Sequence, residues 1–384
     1  MSKNDFPKEE FAERLGRVRR AMADQNLDWL LVFSPISMHW LIGSDAKAHQ
    51  VFQCLIVSTE PGPLVIFGRA GERSEYLLDT MADDVRIWGG PEPADPVDVF
   101  SHLIDEFGLK RGRVGMEVPA YYLHPHHYVR LKTLLGAALV AEPTDLINDL
   151  KVVKSPREIA YVRRAAEIAD LGMVAFRKTM AEGKSELEVC GAIYHAMLTA
   201  NGGIPASTLN LSGGERSAFA HGAPTERRFK QGDFGNVEYG GSYRRYHATI
   251  GRNYVVGKPT ARMKEIHDLT REASDAAIAE IRDGVAAIVP HEAAKRVIAT
   301  AGLGHARIHT TGYGIAPGFP PSWGEPINMN GGSTYTLAAG MVLSIEPPIY
   351  LHEERLGARL IDNVLVTKTG AELLSRDSRD LIVI

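Results

Sequence analysis

Residues 236–257 read NVEYGGSYRRYHATIGRNYVVG. Strand-forming residues dominate from Gly232 to Val256. Within them one carboxylate, Glu238, alternates with small residues in Val237-Glu238-Tyr239-Gly240. A charged side chain in a buried strand needs a cation or a donor beside it, because isolated buried charge is very costly. The same stretch carries His247 in Tyr243-Arg244-Arg245-Tyr246-His247, an imidazole that either serves a site or is satisfied within a core.

Upstream, residues 8–25 form an amphipathic helix pattern, with Phe11, Leu15, Val18 and Met22 at three- and four-residue steps. Strand-like runs follow at Trp29–Phe33, Gln53–Ser58, Pro63–Phe67 and Arg113–Glu117, with helical stretches near 97–107 and 126–136. This alternation predicts an α/β domain over residues 1–150. Residues 79–96, rich in Asp, Gly and Pro, read as a surface loop, and residues 146–154 as a connector. In Lys154-Ser155-Pro156-Arg157-Glu158-Ile159 the serine is a natural N-cap, the proline fits the first helical position, and Glu158 completes a capping box. That predicts a helix to about Met180, burying Ile159, Val162, Ala166, Ala169 and Met173, then a second from Ser185 to about Ala200. Beyond the central strands come helices near 260–283 and 290–302, and final strands at Val342–Ile345 and Leu360–Thr367.

The chain has 384 residues, 45% hydrophobic and 23% charged, with a net charge of −4. No run of Lys or Arg stands out, which argues against nucleic acid or an anionic membrane as partner. Two cysteines, Cys54 and Cys190, make no disulfide framework and suit a reducing compartment. The N-terminal MSKNDFPKEEF has no apolar signal core, and Trp29–Phe33 is too short to span a bilayer, so a cytoplasmic protein is expected.

Several other residues carry chemistry. His221 lies in the loop sequence Ala218-Phe219-Ala220-His221-Gly222-Ala223-Pro224, where an imidazole can take and return a proton near neutral pH. Glu346 follows the apolar run Met341–Ile345 and precedes two prolines. Arg359 can bind a substrate carboxylate bidentately or pair with Glu346. Tyr313 can donate to a carboxylate or a carbonyl, and Trp323 can wall a small pocket; simple packing is the alternative for both.

Together these segments resemble the creatinase/aminopeptidase P (pita-bread) superfamily, across essentially the whole chain. The resemblance implies an α/β N-terminal domain over 1–150 and an α+β pita-bread catalytic domain over 151–384. Members of that superfamily with a metal centre carry five ligands, and the matching positions here are Glu238, Thr249, Tyr313, Glu346 and Ile361. Three of the five are not ligands, and two carboxylates cannot hold a paired divalent site. The metal-poor branch, including creatinase and ectoine hydrolase, is similar in its His221, in Glu346, and in the Glu238 that precedes Tyr243–His247. Gly318–Glu325 resembles the Pro-Pro-Asp-Trp-Gly-Glu run of ectoine hydrolases. The position of the creatinase Glu just before Arg252 is Gly251, and Ser44–Gln53 departs from the aromatic-rich ectoine hydrolase segment.

The resemblance implies a hydrolase acting on a C–N bond of an amidine, cyclic amidine or guanidino compound, with no metal and no cofactor. His221, Glu238 and Glu346 are its expected catalytic residues. His247, Tyr313, Trp323, Arg359, Phe219 and His49 are its expected substrate-binding residues, with His49 reaching the site of a partner in a homodimer. Two other readings stay open: a metal-dependent Xaa-Pro peptidase with an unusual ligand set, and a binding protein without activity.

Overall fold

The computed structural model describes residues 6–92 and 94–384. Met1–Asp5, the start of the N-terminal stretch, and Pro93, within the expected 79–96 loop, lie outside the described residues. The chain divides into two compact units, Met1–Lys151 and Val152–Ile384.

The first unit runs α1 (Lys8–Asp24), β1 (Trp29–Val32), α2 (Pro35–Ile42), β2 (Cys54–Ser58), β3 (Val65–Arg69), α3 (Arg73–Asp79), β4 (Asp84–Trp88), α4 (Pro96–Glu106), β5 (Val114–Met116), α5 (Pro125–Leu135), β6 (Leu139–Ala141) and α6 (Leu146–Lys151). Its strands form one six-stranded mixed sheet in the order β4-β3-β2-β1-β5-β6. Apolar side chains cover both faces: Leu30, Val32, Leu55 and Ile66 pack with α1 and α2, and Leu31, Ile56 and Phe67 with α4 and α5. The expected loop over 79–96 contains β4, paired in parallel with β3. Its Asp84-Val85-Arg86-Ile87-Trp88 alternates as a strand should, but the flanking Asp, Gly and Pro residues hide the period. The connector over 146–154 begins as the short helix α6.

The second unit runs α7 (Pro156–Thr179), α8 (Glu186–Thr199), β7 (Asn210–Gly213), β8 (Phe234–Tyr243), β9 (Tyr246–Val255), α9 (Ala261–Glu280), α10 (Ile288–Thr300), β10 (Gly312–Phe319), β11 (Ser322–Met329), β12 (Val342–Ile345), β13 (Pro348–Leu351), β14 (Leu356–Arg359), β15 (Asp362–Val366), β16 (Ala371–Leu373) and β17 (Ile382–Val383). The capping box forms at α7: Ser155 Oγ accepts from Glu158 N at 3.2 Å, and the Glu158 carboxylate accepts from Ser155 N at 2.8 Å. Val162, Ala166, Ala169 and Met173 are buried as expected, while Ile159 is only half-buried. The main sheet has the order β16-β15-β12-β10-β9-β8-β7, with β11 added to β10 and β17 to β9. Helices α7 and α8 pack with β8 and β9 in one apolar cluster, and α9 and α10 pack with β12 and β15 in another.

The α/β domain followed by an α+β domain is therefore what the chain forms. Sequence periodicity assigns no strand to 312–329, yet β10 and β11 form a hairpin there. In β11 Trp323, Glu325, Ile327 and Met329 alternate inward, a period-2 signal masked by Pro320, Pro321 and Pro326. Among the described residues, no helix is long and apolar enough to cross a membrane.

Close packing of α7 on β8 depends on Gly241, where an added Cβ would lie 2.1 Å from the Ala165 carbonyl oxygen and 2.6 Å from the Ala169 nitrogen. Gly241→Ala is expected to destabilise the protein by about 1–3 kcal/mol, the usual cost of overpacking. An unchanged denaturation midpoint would show that α7 moves away freely.

Candidate functional site

The site is built on the β8–β9 hairpin. Its two-residue turn, Arg244-Arg245, has φ of 49° and 68°, the left-handed geometry that matches strand twist in a tight hairpin. Non-glycine residues adopt it at a cost, and here both guanidinium groups stack on rings: Arg245 on Phe319 at 4.3 Å, and Arg244 on Tyr243 at 5.6 Å. The hairpin register places Glu238 between Asn210 of β7 and Gly251 of β9.

Glu238 lines a cavity of about 370 Å³ together with His221, Tyr313, Trp323, Asn210 and Asn328. Its Oε2 accepts from Asn210 Nδ2 at 3.2 Å and is in direct ionic contact with Arg359 Nη2. Its Oε1 has no protein partner among the described residues. Arg359 is fully buried, and its Nη1 also reaches Glu346 Oε2 at 3.4 Å, while Nη2 donates to the Ala220 carbonyl at 3.0 Å. One guanidinium thus holds both carboxylates. Burial lowers Arg359 to about 9, which leaves it protonated at neutral pH.

Glu346 is 1% exposed and lies behind the cavity wall. Ser344 Oγ donates to its Oε1 at 3.0 Å, the Tyr313 phenol bonds it, and His309 Nδ1 stands 4.0 Å from its Oε2. Burial pushes the Glu346 carboxyl above its ordinary value, against the opposing pull of His309, Tyr313 and Ser344. Trp323 Nε1 donates to the Tyr313 oxygen at 3.2 Å, which fixes the phenol at the cavity wall. Glu325 also lines the cavity, but its charge is spent on Lys154, with both side chains fully buried.

His221 is exposed on one side, with its ring 5.9 Å from that of His309. Burial of its inner face lowers its pKa, and the charge of Arg359 and then His309 lowers it further. At neutral pH it is therefore a free base.

The structure gathers His221, Glu238, Tyr313 and Trp323 around one cavity and places Arg359 and Glu346 directly behind it. It corrects the other expectations. Glu346 is not among the residues lining the cavity; it contacts Tyr313 and Arg359. Arg359 is committed to two carboxylates and is not offered to a substrate carboxylate. His247 is 1% exposed, its Nε2 accepts from Ala206 N at 2.9 Å, and its ring stands 5.8 Å from Trp323; it is not among the residues lining the cavity. Phe219 is 54% exposed under the Arg216 guanidinium and does not line the cavity either. His49 belongs to the first unit, beside a separate hollow walled by Phe52, Trp88 and Tyr121. Sequence reasoning missed Asn210, His309 and Ser344. His309 had a readable signal in His309-Thr310-Thr311-Gly312-Tyr313, four residues before Tyr313.

Residues 160–368 match the profile of Metallopeptidase family M24, and residues 14–153 match the Creatinase/Prolidase N-terminal domain. The chain belongs to the M24 family. It is 27% identical to the ectoine hydrolase of Halomonas elongata over 98% of both chains. It is 30% identical to a Xaa-Pro dipeptidase of Pyrococcus horikoshii, over 75% of this chain and 80% of that one. Among solved structures, dipeptidase PepE of Mycobacterium ulcerans superposes with a TM-score of 0.86 at 26% identity, covering 99% of this chain and 100% of that one. The second unit is accordingly a pita-bread domain.

The family name implies a metal, and the residues present do not fit one. Thr249 Oγ1 is bonded to Ser344 Oγ at 3.0 Å and to Asn363 Nδ2 at 2.8 Å. Ile361 is fully buried and packs where a Cβ on Gly251 would come within 2.7 Å. The two remaining carboxylates are held by Arg359. Among the described residues, no group of three or more His, Cys, Asp or Glu is placed to hold a metal ion.

His221 followed by NMR is expected to titrate below the ordinary histidine value of about 6.5. His309→Gln removes a like charge and is expected to move that titration upward, with burial still holding it below the ordinary value. Titration at or above the ordinary value in the unsubstituted protein would contradict the electrostatics described.

Proposed function

We propose that the chain is a metal-independent hydrolase of a C–N bond in a small amidine, cyclic amidine or guanidino compound. The observation that carries this reading is the cavity lined by both an imidazole, His221, and the carboxylate of Glu238, whose Oε1 has no protein partner among the described residues. A delocalised N–C–N cation supplies positive charge and N–H donors to that oxygen. His221 takes a proton from water, the hydroxide oxygen bonds to the central carbon, and one C–N bond breaks. The proton on His221 then passes to the leaving nitrogen. The Tyr313 hydroxyl, which donates its one proton to Glu346 and accepts from Trp323, fixes the polar wall of the cavity.

The full-length similarity to an ectoine hydrolase supports the substrate class. The similarity to Xaa-Pro dipeptidases favours a second reading, peptide hydrolysis, which needs the metal donors that Thr249, Tyr313 and Ile361 do not supply. We further propose that the protein is a cytoplasmic homodimer in which the His49 segment borders the partner's cavity.

A thermal-shift screen of ectoine, creatine, hydantoins and guanidino acids identifies the ligand, since binding to the native state alone raises apparent stability. On that substrate, His221→Ala is expected to lower turnover by about two to four orders of magnitude, with the fold retained because His221 packs little. Turnover within about tenfold of the unsubstituted enzyme would mean that another group moves the proton.

A further inference from the structure

Arg307 lies in the segment between α10 and β10 and is not among the residues that line the cavity described above. Its Nη2 donates to Thr311 Oγ1 at 2.9 Å and stands 3.4 Å from His291 Nδ1. Thr311 Oγ1 is in turn 3.0 Å from the same His291 nitrogen. This chain of three polar groups fixes the plane of the guanidinium through one nitrogen. The Arg307 Nε–H is buried with no partner, and Nη1 has none among the described residues.

No carboxylate among the described residues pairs with Arg307. The charge of Glu292 acts on it, and Glu292 is engaged by Lys295 at 2.9 Å. Burial accordingly lowers the pKa of Arg307. A brace for Thr311 would explain the Nη2 contact, but it would not explain a buried Nε–H left without an acceptor. A half-buried, oriented guanidinium without a counter-charge is the arrangement that recognises an oxyanion, whose oxygens accept from several N–H groups of the fork.

We propose that Arg307, oriented by Thr311 and His291, is the recognition group of a binding site for a small oxyanion, the carboxylate or phosphate group of a small molecule. The site is independent of the hydrolase reading, and its test needs no turnover. The full chain is titrated with inorganic phosphate and, separately, with glutarate, at constant ionic strength with chloride as control. The Arg307 Nε–H resonance, assigned by its loss in Arg307→Lys, is expected to shift saturably with one of the two anions. The same anion is expected to raise the Tm of the unsubstituted protein, and to bind Arg307→Gln about tenfold or more weakly, as for a lost hydrogen bond to a charged group. Saturation by phosphate assigns a phosphate ligand; saturation by glutarate assigns a carboxylate. A resonance that moves no more with either anion than with chloride overturns the proposal, as does an equal gain in Tm for the unsubstituted protein and Arg307→Gln. Should Arg307→Gln fail to fold, the titration of the unsubstituted protein decides alone.

Discussion

The guanidinium of Arg359 reaches two buried carboxylates at once, Glu238 and Glu346. Removing one member of such a buried group costs about 3–5 kcal/mol, because the charge left behind has neither water nor partner. Arg359 is therefore the cation that lets Glu238 line the cavity and Glu346 stay buried behind it. It joins β8 to the segments after β12 and at the end of β14, which are far apart in sequence. Its backbone is held as well, with Asn253 Oδ1 accepting from Arg359 N at 3.0 Å.

The remaining ligand positions of the family are occupied in keeping with this. Ile361 fills the space that Gly251 leaves open, and Thr249 joins a neutral network with Ser344 and Asn363. Fewer ionisable donors remain at these positions, and Arg359 is the cation in contact with both carboxylates. Glu238 has one oxygen without a protein partner among the described residues, while Glu346 is enclosed and bonded by the phenol of Tyr313.

Local signals made much of this legible in the sequence. The capping box at Ser155–Glu158 fixed the start of α7, and helical periodicity located its buried face. The non-ligand residues Thr249, Tyr313 and Ile361 were readable at the family's ligand positions. What could not be read was long-range pairing. Arg359 had two equal readings from sequence, because whether an arginine meets a substrate or a carboxylate depends on strands brought together by the fold. His247 was open between a site residue and a satisfied core histidine, and the strand turns its Nε2 to the Ala206 nitrogen. Strands β4 and β11 were hidden because Asp, Gly and Pro mark turns as well as strand edges.

The most direct test of a site balanced by arginine in place of metal is elemental analysis of the purified protein, with activity on an identified substrate measured before and after chelation. The account predicts no stoichiometric Mn, Zn, Fe or Co and turnover unchanged by the chelator. One or more equivalents of such a metal per chain, with activity lost on its removal and restored on its return, would contradict it.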